Sequence, residues 1–135
     1  MLRRRRARRS EPEMPAGERA AFADVLRNVE AAKAALVATV RAGRVEGVPL
    51  GEGLFAFESG LADARASMPG WRTPETADAW AACDRGLAES AERAERVRLE
   101  AAPRVYEELI ATVEDLLDPL DAFEDAASRF GRGLR

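Results

Sequence analysis

The stretch VRLEAAPRVYEELIATV, residues 97–113, decides the fold. On either side of Pro103 the apolar residues fall at steps of four: Val97, Ala101, Val105, Leu109 and Val113. Both flanks read as helix. One helix running from Pro74 to Asp118 would be about 65 Å long, and its second half would overhang everything before it. Its stripe of Val105, Leu109, Val113, Leu116, Leu120 and Phe123 would then need a second chain to cover it, in an elongated two-fold dimer. Reversal at Ala101–Arg104 instead gives three segments of comparable length, roughly 27 residues or ~40 Å each, beside one shorter helix. Turn chemistry argues against reversal, because Glu100-Ala101-Ala102-Pro103 holds no Gly, Asn or Ser. The length match, and the restriction proline places on the residue before it, argue for it. Reversal is the favoured reading. It packs the last stripe back on the first helix, around Leu26, Val29 and Leu36.

Upstream the pattern is helical almost throughout. From about Ala16 to Ala42, Phe22, Leu26, Val29, Leu36 and Val40 form one stripe that Val25, Ala32 and Val37 widen, and Gly43 ends the segment. Lys33 is the one polar residue in that stripe, and its long stem lets the ammonium reach the edge. After a turn at Gly43–Pro49, a shorter helix carries Leu50, Leu54, Phe57, Leu61, Ala64 and Met68. Gly51, Gly53 and Gly60 weaken it by up to about 1 kcal/mol each, yet Gly53, Ala56 and Gly60 also offer a neighbouring helix a close approach.

The clearest start signal is Thr73-Pro74-Glu75-Thr76, with Thr73 as cap and Pro74 at the first helical position. Trp80, Cys83, Leu87, Ala94, Val97 and Ala101 then mark an inward face, while Glu89–Arg93 and Glu92–Arg96 are spaced as solvated ion pairs. Asp118-Pro119 offers a second cap, so a kink or restart is expected there. Gly131 and Gly133 close the last helix.

Composition agrees with helix. Ala supplies 28 of the 135 residues, and Ile and Tyr occur once each. The length suits one domain with a single core. The expected architecture is therefore all-α: an antiparallel up-and-down bundle of about four helices over residues 15–135, behind a disordered Arg-rich tail at residues 1–14.

The net charge of −3 hides an asymmetry. Arg3, Arg4, Arg5, Arg6, Arg8 and Arg9 put six positive charges and no negative one in the first nine residues. The remainder carries 15 basic and 24 acidic residues, and such an acidic body argues against a nucleic-acid surface on the folded part. Any nucleic-acid contact would fall to those six arginines. Met14, followed directly by the first helix, would serve equally well as a first residue. The Arg run is followed by Ser10-Glu11-Pro12-Glu13 and by no apolar stretch, so it does not read as a secretion signal. No apolar run approaches the ~18 residues of a membrane span. One cysteine, unable to form an internal disulfide, points to the cytoplasm.

Starting material for catalysis is scarce. There is no His, and Cys83 lies on an apolar stripe beside Asp84, a poor setting for a thiolate. Eight acids and no base lie between Val105 and Ser128: Glu107, Glu108, Glu114, Asp115, Asp118, Asp121, Glu124 and Asp125. Without His they cannot make the di-iron pattern of helical bundles, and an acidic solvent face is the reading preferred over a Mg²⁺ or Ca²⁺ site. Trp71 and Trp80, with Phe55, Phe57, Met68 and Tyr106, either line a small-molecule pocket or fill the core. No catalytic, metal or cofactor residue is nominated. The expectation is a non-catalytic protein that contacts itself or a protein partner through helix faces. The alternatives are a nucleic-acid-associated protein using the Arg arm and a small-molecule-binding bundle.

Overall fold

Every element in the computed structural model is a helix; it describes residues 15–43 and 49–133. Four helices follow in order: α1 (Ala16–Arg41), α2 (Pro49–Ser67), α3 (Ala77–Leu99) and α4 (Tyr106–Gly133). A single 3₁₀ turn, Met68–Trp71, lies between α2 and α3. Phe22 near the start of α1 packs on Phe130 near the end of α4, while the Tyr106 hydroxyl at the start of α4 donates to the Val40 carbonyl at the end of α1. The helices therefore run up, down, up and down. The expected Arg-rich tail at residues 1–14 lies outside the described residues.

Chain reversal before α4 is confirmed. Helix α3 stops at Leu99, and Glu100 turns extended, with φ −94° and ψ 168°. Residues 100–105 form an open connection with no positive φ, so no glycine was needed. The start of α4 is fixed by Glu108, whose carboxylate accepts from the Arg104 N–H at 2.8 Å. Residues at the joint leave the core: Ala101 and Val105 are exposed and Val97 is half-buried.

The bundle is two helical hairpins set side by side, α1 with α2 and α3 with α4, each packed far more densely within itself than against the other. Glycine sets the separation in both. A Cβ on Gly60 would lie 2.9 Å from the Ala32 Cβ and 3.2 Å from the Asn28 carbonyl, and one on Gly53 would overlap the Thr39 hydroxyl. In the second hairpin a Cβ on Gly86 would lie 2.9 Å from the Phe123 Cβ and 3.0 Å from the Pro119 carbonyl. The close approach read from Gly53 and Gly60 is thus real, but Ala56 stays exposed.

Three expectations about faces are corrected. In α1 the buried positions are Phe22, Val25, Val29, Ala32, Leu36 and Thr39, whereas Leu26 is 37% exposed and Val40 half-buried. The α2 glycines draw that helix onto the small side of α1, which turns Leu26 outward. The last stripe accordingly packs mainly on α3 and only lightly on α1.

The core tryptophan is Trp71, not Trp80. Trp71 is fully buried from the α2–α3 connection and plugs one end of the bundle, with ring centroids 4.8 Å from Phe22 and 5.4 Å from Phe130. Its indole N–H has no hydrogen-bond partner among the described residues, a cost of about 1–3 kcal/mol that the ring packing must exceed. Trp80 is half-buried at the edge, where its N–H donates to the Met68 carbonyl at 2.7 Å and the Arg72 guanidinium lies 4.4 Å from its ring centroid.

The third correction is at Pro119, where α4 neither breaks nor restarts. Proline removes the N–H that would bond the Asp115 carbonyl. Arg93 of α3 takes over, donating to that carbonyl at 2.8 Å, and Ser90 donates to the adjacent Leu116 carbonyl at 2.8 Å. Asp118 is therefore no cap; it lies 3.7 Å from Arg93.

Helix α3 starts at Ala77 with Thr76 as its N-cap, three residues later than Thr73-Pro74 signals, and residues 74–76 form a turn that a reciprocal pair closes. The Thr73 N–H donates to the Thr76 hydroxyl at 2.9 Å, and the Thr76 N–H to the Thr73 hydroxyl at 3.2 Å. Thr76 in turn donates to the Trp71 carbonyl at 2.7 Å, tying the cap to the plug.

Replacing Gly86 with Ala should destabilise the fold by about 1–3 kcal/mol despite better helix propensity, because the added methyl meets backbone of α4. Gly51→Ala, with nothing within 4 Å of its Cβ, should instead be neutral or stabilising by up to about 1 kcal/mol. Urea denaturation of both variants checks the pair; equal effects would contradict the packing described.

Candidate functional site

Each group nominated by the sequence can now be placed. The six arginines Arg3, Arg4, Arg5, Arg6, Arg8 and Arg9 lie outside the described residues. Cys83 is fully buried, with its sulfur 4.0 Å from the Phe123 carbonyl. Burial pushes its thiol up to about 11, so it stays protonated at neutral pH and is a poor nucleophile.

The carboxylates of α4 are dispersed around the helix and largely occupied. Asp115 pairs with Arg93 at 3.0 Å, Asp125 with Arg129 at 2.9 Å, and Glu124 reaches across to Lys33 of α1. Among the described residues no group of three or more carboxylate or thiol side chains is placed to hold a metal ion.

The six residues offered by the sequence for a pocket do not converge on one cavity. Phe57, Met68 and Trp71 are buried in the core, Trp80 is at its edge, Tyr106 is exposed at the opposite end, and Phe55 points into solvent. The aromatic cluster that does form, Phe22, Trp71 and Phe130, joins residues too far apart in sequence to be paired by periodicity.

The ion pair Glu89–Arg93 forms at 2.7 Å, but Arg93 does not lie on a solvated face. Its side chain is only 20% exposed and links α3 to α4. The signal that could have exposed this role was Pro119, since a proline inside a helix implies a carbonyl in need of another donor.

What remains as a candidate is a surface. Phe55 is 76% and Leu99 75% exposed, with Val105 and Tyr106 also open to solvent. Phe55 lies one helical turn before Glu58, and Leu99 follows Arg98. Glu58 and Arg98 form an ion pair at 3.2 Å between α2 and α3, so Phe55 and Leu99 are each close in sequence to one end of the same inter-hairpin link. All four belong to the half of the bundle that holds the α3–α4 connection. No helix among the described residues is long and apolar enough to cross a membrane. No family model, curated protein or solved structure matches this chain.

Two outcomes follow from the titrating groups. Lys33 is held above the ordinary lysine range, first by its hydrogen bond to Glu124, with the nearby Glu30 and Asp121 charges adding to it against the opposing effect of burial. A raised folded-state pKa stabilises below the unfolded value of 10.5 and is lost as pH rises through the folded value. The stability gap between wild type and Lys33→Met should therefore hold from neutral pH to about 10 and shrink above it, read by urea unfolding across that range. Cys83 should react with a thiol reagent at pH 8 only on unfolding; rapid stoichiometric labelling of the native protein would contradict its placement.

Proposed function

We propose that this chain is a small non-catalytic helical module that works by contact with a copy of itself or another protein, through the surface around Phe55 and Leu99. The observation that carries this reading is the exposure of two large apolar side chains on neighbouring helices, in a bundle that buries its other phenylalanines at least in part. Apolar groups kept in water in this way gain free energy when a partner covers them. The lone, buried Cys83 favours a reducing compartment, and the cytoplasm is the proposed location.

The test uses the full chain with Phe55→Ser and Leu99→Ser together. Because both side chains are exposed, the double variant should keep its stability to within about 0.5 kcal/mol per site. Light scattering over a concentration series should show wild type gaining mass and the variant not. If wild type is monomeric throughout, a photo-crosslinking residue at position 55 should capture a protein partner in cells, and one at exposed position 89 should not. A monomer with no crosslink specific to position 55 would overturn the proposal.

A second reading rests on the six arginines and no acid in residues 1–9. On it, the full chain binds duplex DNA or RNA with steep salt dependence, and a chain beginning at Met14 does not. Equal binding by both at low salt would remove it.

A further inference from the structure

We draw no further inference here: the strongest candidate, the exposed apolar patch of Phe55, Leu99, Val105 and Tyr106 in the half of the bundle that holds the α3–α4 connection, belongs to the surface already proposed, and nothing in the structure shows what covers it.

Discussion

Close approach of helix backbones at glycine is the constraint on which the rest of this bundle depends. A chain with 28 alanines has few large side chains to bury, and each alanine removes little apolar surface from water. Such a chain gains cohesion by bringing helix backbones together where at least one side carries a glycine. Gly60 against Ala32 and Gly86 against Phe123 do this, one in each hairpin. Tight pairing within a hairpin also explains why the hairpins meet each other more loosely. Polar links then mark the seam between them: Lys33 with Glu124, Glu58 with Arg98, and Tyr106 with the Val40 carbonyl.

Pro119 shows how one close approach carries a polar requirement. Because α4 lies so near α3 at Gly86, the carbonyls of Asp115 and Leu116 come within reach of donors on α3. Ser90 and Arg93, one and two turns beyond Gly86, supply the donors. Gly86, Ser90 and Arg93 therefore act as one strip on α3 that matches a defect in α4. The helix survives its proline because its partner completes it.

The sequence made the fold legible where side-chain size and periodicity agree. Helix α2, whose apolar residues recur at strict three–four spacing, reads with its buried face correct at Leu54, Phe57, Leu61 and Ala64; Leu50 is half-buried, and Met68 is buried from the 3₁₀ turn that follows. The end of α1 at Gly43 is legible from local backbone chemistry, and the reversal near Pro103 from the match of segment lengths and the proline restriction, whereas the start of α3 falls at Ala77 and not at Pro74. Misreadings occurred where packing favours small residues over large ones. Helix α1 offered Leu26 and Val40 as apolar positions, but the glycines opposite select Ala32 and Thr39. Trp71 and Trp80 both read as core or pocket residues; Trp71 fills the core, while Trp80, placed on the inward face by its spacing, is half-buried and packs against the core from its edge. Pro119 reads as a boundary because its missing donor is resupplied from α3, by Arg93 to a carbonyl 22 residues later, which no local rule detects.

The candidate surface was legible only in part. Phe55 was singled out as an aromatic with two destinations, pocket or core, and it went to neither. Its phase explains this: Leu54, Phe57 and Leu61 define the inward face of α2, and Phe55 falls 100° from Leu54 on the far side from Phe57. Of five phenylalanines, Phe22, Phe57 and Phe123 are buried, Phe130 is packed against the core, and Phe55 alone stands 76% exposed. In an alanine-rich chain, where large apolar side chains are scarce, that position could have been polar with no loss to the core. Helix α3 repeats the pattern, because Leu99 follows the last inward residue and lies 75% exposed, where the core has already closed. Both side chains keep most of their surface in water, so they add little to the core of the isolated bundle.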